Sequence, residues 1–144
     1  MDTKRFVVGT IVGAIVLFVF GYVIFDWAFG VFYAANAGSA TGADRSDILY
    51  WAVALAVLAY AALIMYAIGN RVGTLSILEG AKIGAIVGFL LWFTADFMSY
   101  GYTNLSNLTK TIVDPLLEIV HGGIAGAVIA AVLKKVPASG PKPA

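Results

Sequence analysis

Between Arg5 and Asp26 the chain runs for 20 residues, Phe6 to Phe25, without a charged side chain. A hydrocarbon core of about 30 Å takes about 20 apolar residues to cross as a helix, the one single-segment structure that satisfies its own backbone there. The same length recurs three times. Ile48 to Gly69 lies between Asp47 and Arg71; Leu78 to Tyr100 carries Glu79, Lys82 and Asp96 near its ends; Pro115 to Leu133 is interrupted by Glu118 and His121. The pattern predicts an all-α fold, a polytopic four-helix transmembrane bundle. It forms a single domain over residues 1–135, with spans at about 6–26, 48–69, 78–100 and 115–134. The last residues, 136–144, are rich in Pro and Gly and read as a mobile cytoplasmic tail.

Composition narrows the function classes. Only 12% of the 144 residues are charged and 61% are hydrophobic, where a soluble domain has about 25% charged. Disorder is excluded by the amount of apolar surface available for burial. A net charge of +1 with no basic stripe argues against nucleic acid. With no cysteine, disulfides, thiol nucleophiles and iron–sulfur clusters are excluded. The first span exceeds the roughly 7 to 15 apolar residues of a secretory signal, so it is expected to be retained despite the cleavage-like Ala35-Asn36-Ala37.

Basic residues set the orientation. Lys4, Arg5, Arg71, Lys82, Lys134, Lys135 and Lys142 fall on one side, against Arg45 and Lys110 on the other. The rule that positive flanks stay inside then makes both termini of this multi-pass protein cytoplasmic. Trp27, Tyr33, Tyr50, Trp51, Tyr100 and Tyr102 collect at the outer boundary as an aromatic belt. Asp114 followed by Pro115 reads as the N-cap and first residue of the fourth helix.

Helices in lipid associate through close approach of small residues. Gly80, Gly84 and Gly88 recur at four-residue spacing, with Gly122 and Gly126 on the fourth span and Gly9 and Gly13 on the first. These glycine zippers suit packing within the chain, a homo-oligomer, or docking onto another membrane subunit.

An ionisable group inside a span costs about 2.5 to 3.5 kcal/mol and needs a partner or a purpose. Asp114, Glu118 and His121 stand at i, i+4 and i+7, one stripe of a helix. Asp26 and Asp96 close the first and third spans on the same outer side. Four acids this close cannot all stay ionised in a poor dielectric, so protons, His121 or a bound cation must balance them. Two readings stand. The acids solvate and cap helix ends while Glu118 and His121 bond each other, Tyr100 or Asn104; or the group is a cavity for a proton, a divalent cation or a small cationic solute. No resident cofactor is otherwise expected, and Glu79 with Lys82 should form a local ion pair.

The stretch Tyr100-Gly101-Tyr102-Thr103-Asn104-Leu105-Ser106-Asn107-Leu108, followed by Val113-Asp114, resembles the Tyr-Asp-x-Thr-Asn-Leu-x-x-Leu signature of a family of small bacterial four-span membrane proteins without assigned function. Asp26, Gly30 and Phe32-Tyr33 resemble that family's first-helix pattern; Gly101 departs from it where the family has Asp. The resemblance implies a four-helix inner-membrane protein and no activity. No nucleophile elbow, phosphate loop or second histidine is present, so no enzyme is expected. The expected function is an accessory, assembly or interaction subunit in the bilayer; the alternative is a homo-oligomeric protein that binds or passes an ion or small solute through the carboxylate–histidine cavity.

Overall fold

The computed structural model describes residues 2–71 and 75–137. Five α-helices form: α1 (Thr3–Gly21), α2 (Gly30–Ala35), α3 (Tyr50–Ile68), α4 (Ile77–Tyr102) and α5 (Leu108–Leu133). A π-helical segment, Tyr22–Ala28, continues α1, and a single 3-10 turn, Gly69–Arg71, follows α3. Among the described residues there is no strand, only an isolated bridge between Ala37 and Ser106. Four runs are long and apolar enough to cross a membrane: Thr3–Ala28, Tyr50–Ile68, Ile77–Tyr102 and Leu108–Leu133.

The caps explain where the helices begin. Asp2 accepts the Arg5 amide at 2.9 Å to open α1. At α4, Ser76 Oγ accepts the Glu79 amide at 3.1 Å while Glu79 Oε2 accepts the Ser76 amide at 2.7 Å, a reciprocal capping box. That box takes the carboxylate expected to pair with Lys82. The start of the fourth span is also corrected. Asn107, not Asp114, caps α5, accepting the Lys110 amide at 2.9 Å, so the helix starts seven residues earlier and Pro115 lies inside it. Proline costs a helix the bond to the carbonyl four residues back, here that of Thr111.

α4 and α5 pack backbone to backbone. A Cβ added to Gly84 would collide with the Gly122 carbonyl, and one added to Gly122 or Gly126 would collide with the backbone of Gly84 or Gly80. Gly88 sits against the Glu118 carbonyl and the Tyr60 hydroxyl. On α1, Gly9 makes room for Met65, and Gly13 for Ile129 and Ala61. All seven of these glycines therefore face other helices of the same chain. α5 is the central element, buried along a stripe from Thr111 to Leu133.

The two ends of the bundle differ. At one end Arg5 Nε donates to the Val136 carbonyl at 2.9 Å, so the start of α1 and the end of α5 meet. An apolar core rises from there, with Leu17, Ala61, Ile64, Met65, Ile68, Ala125 and Ile129 fully enclosed. At the other end the two long connections pair. The amides of Gly38 and Ala40 donate to the carbonyls of Leu105 and Asn104 at 3.1 and 3.0 Å, and Asn107 Nδ2 donates to Asn36 Oδ1 at 3.1 Å. Polar groups gather beneath this loop end. Of the tail expected at 136–144, the residues beyond Pro137 lie outside the described ones.

Candidate functional site

α5 carries the polar stripe inward. Because the helix starts at Leu108, Asp114 lies nearly two turns inside it and His121 near its middle. Glu118 is 2% exposed and His121 4%, a degree of burial that an ionisable group tolerates only when its bonds are met.

They are met specifically. Glu118 Oε2 accepts from the Tyr60 hydroxyl at 3.1 Å and faces His121 Nδ1 at 3.0 Å. On the far side of the ring, His121 Nε2 lies 2.9 Å from the Leu17 carbonyl on α1. A carbonyl only accepts, so Nε2 carries a hydrogen. One further hydrogen must then lie between Nδ1 and Oε2. The pair is either carboxylic acid with neutral imidazole or carboxylate with imidazolium, and in both forms it shares one proton and has zero net charge. Phe25 and Tyr60 pack edge-on against the imidazole, with ring centroids 5.4 and 6.1 Å away. Both hydrogen bonds to Glu118 fall on Oε2, so among the described residues Oε1 is left without one.

Nearer the loop end a second group forms. The Tyr33 hydroxyl, on α2, donates to Asp114 Oδ1. Burial, then the bond to Asp114 and the charges of Asp114, Glu118 and Asp96, push the Tyr33 hydroxyl well above its ordinary range, so it stays a donor. Lys110 Nζ stands 5.3 Å over the Tyr33 ring. Asp96, on α4, faces Asp114, and its Oδ2 is enclosed without a hydrogen-bond partner among the described residues.

These groups line one cavity of about 540 Å³ between the spans. Leu17, Phe25, Val57 and Trp92 give it apolar walls; Asp26, Asp96, Asp114 and Glu118 give it four carboxyl groups against Lys110 and His121. The π-helical turns bring Phe25 and Asp26 into its lining, and a Cβ added to Gly21 would meet the His121 ring at 3.6 Å, an ordinary contact. Among the described residues no three His, Asp or Glu side chains converge as ligands for a metal ion.

Five of the seven residues expected at the site, Asp26, Asp96, Asp114, Glu118 and His121, therefore share a cavity. Tyr100 and Asn104 do not. Tyr100 is exposed on α4, and the Asn104 carbonyl is engaged in the loop pairing; the partner of Glu118 is Tyr60. Tyr33 leaves the aromatic belt for the site, and Lys110 moves from an outer loop to the first turn of α5. Tyr60 had a readable signal, since a phenol among alanines at the middle of a span needs an acceptor. The Leu17 carbonyl had none. Compared with protein-family models, curated proteins and solved structures, the chain matches none.

Proposed function

We propose that the chain is a non-enzymatic inner-membrane protein, with both termini cytoplasmic, that binds a small organic cation in the cavity between its four spans. One observation carries this reading: an apolar cavity holds four carboxyl groups against one lysine and a histidine already committed to Glu118. Such a lining favours a solute with an apolar body and a single positive charge, by burial of the body and Coulomb attraction in a poor dielectric. A bare divalent ion is served less well, because its ligands would have to converge, and among the described residues they do not. The seven-to-two bias of basic residues supports the orientation, which turns the loop end of the cavity to the outside.

The accessory-subunit reading draws on the glycine faces. Those seven glycines face neighbouring helices of the same chain, so what supports that reading is the small size and the lack of an enzyme motif. The cavity is lined by residues of a single chain.

Tetraphenylphosphonium, a hydrophobic monocation, is the probe. Titrated into the purified protein in detergent, it is expected to quench Trp92 saturably, and the quench is expected to vanish in Trp92→Phe. The Asp96→Asn/Asp114→Asn double variant is expected to weaken binding at least about tenfold, about 1.4 kcal/mol. Tetraphenylborate, the matching anion, should not compete. Equal binding of the two ions, or none of either, overturns the reading.

A further inference from the structure

We infer that a cation entering the cavity displaces the proton shared by Glu118 and His121, so that the protein exchanges one proton for one organic monocation. This rests on the reading of the cavity as a cation site and adds the chemistry of its floor. Along α5, Glu118 lies about 6 Å and His121 about 10 Å deeper than Asp114, at 1.5 Å per residue. The shared proton is thus held at the innermost polar point, where Glu118 Oε2 has two partners and Oε1 none among the described residues.

The step balances in charge. Before binding, the pair holds one proton and no net charge. As the cation arrives, the O–H or N–H bond of the shared proton breaks and the proton leaves to water at the loop end. The carboxylate of Glu118 is then neutralised by the cation, and His121 remains neutral with Nε2–H on the Leu17 carbonyl. Cation and proton both held at the floor would leave an uncompensated charge there, which a low dielectric penalises. No redox partner or second substrate is needed.

Titratable groups surround the pair. Tyr22 and Asp26 face the cavity from the π-helical segment, Tyr33 from α2, Tyr50 from α3, Asp96 from α4, and Lys110 and Asp114 from α5 itself, while Tyr60 of α3 bonds Glu118 and α1 supplies only the Leu17 carbonyl. Tyr60 donates directly to the pair and Tyr33 is bound to Asp114. Asp26, Asp96 and Asp114 lie nearer the loop end of their helices than the pair.

Calorimetric titration of the full chain in detergent with tetraphenylphosphonium, in phosphate and in Tris, reads the protons released from the difference in heats. About one proton per bound cation is expected, with affinity rising about tenfold per pH unit while the pair holds its proton. Glu118→Gln is expected to bind weakly with equal heats in the two buffers. Asp114→Asn, outside the pair, is expected to bind more weakly yet keep the proton count. Wild-type binding with equal heats in both buffers at every pH overturns the exchange and leaves the cation site standing. A proton count lost in Asp114→Asn and kept in Glu118→Gln overturns the assignment to the pair. No binding at all overturns the site itself. If Glu118→Gln does not fold, the wild-type comparison of buffers still decides.

Discussion

At the scale of single residues, the Glu118–His121 pair shows why so few charges inside an apolar chain are informative. Each buried group has its partner at bonding distance, and the partners come from three helices: Tyr60 of α3, the Leu17 carbonyl of α1, and α5 itself. Removing one member leaves the other buried and unmatched. His121→Leu is therefore expected to destabilise the bundle by about 3 kcal/mol, whereas replacing both, as Glu118→Met/His121→Leu, costs much less because no orphaned charge remains. Equilibrium unfolding in detergent micelles checks this; a double variant as unstable as the single one would show that packing, not charge pairing, sets the cost. The i, i+3 spacing made the pair readable in the sequence. The Leu17 carbonyl was not, because a backbone group on a distant helix leaves no mark in the residue types, and neither was the partner of Asp114, because Tyr33, Tyr50 and Tyr100 look equivalent until the helices are placed. Only Tyr33 of the three bonds Asp114, and Tyr100 stays exposed.

At the scale of elements, four-residue glycine spacing marked faces of α4 and α5 for close packing but left open whether the partner was a helix of the same chain, a second copy or another subunit. The start of α5 was not legible. Two helix-start signals stand seven residues apart, Asn107 and Asp114-Pro115, and hydropathy favours the second because Thr109, Lys110 and Thr111 read as loop. The structure uses the first: the Asn107 side chain reaches the Lys110 amide, and the Asp114 carboxyl is taken by Tyr33. The α4–α5 seam makes a sharp contrast between neighbouring glycines. Gly84→Val must push α4 off the Gly122 backbone and is expected to cost about 3 kcal/mol, the upper range for overpacking. Gly123→Ala places its methyl 3.6 Å from the Ala81 carbonyl, an ordinary contact. There the gain of helix propensity, up to about 1 kcal/mol, is expected to leave stability unchanged or raised. Loss of equal size at both positions, measured by unfolding in micelles, would mean that the seam is not the tight contact between these helices.

At the scale of the whole molecule, the bundle is divided along its axis: an apolar core at the end where Arg5 meets Val136, a polar cavity under the paired loops. The sequence carries the same division in its charges, with basic residues at the first end and acids at the second. By the positive-inside rule this internal polarity predicts a direction in the membrane, and under the cation-binding proposal that direction sets the compartment from which a cation enters. The chain contains no cysteine, so single cysteines report position without background. Ser39→Cys, in the exposed loop that pairs with Asn104, is expected to react with a membrane-impermeant maleimide in intact cells; Lys4→Cys, in the first turn of α1, is expected to react only after the membrane is opened. The reverse pattern would put the cavity mouth in the cytoplasm. The carboxylates would then draw their cation from within the cell and the proton of Glu118 and His121 would be released there, so the labelling pattern fixes which side supplies the solute.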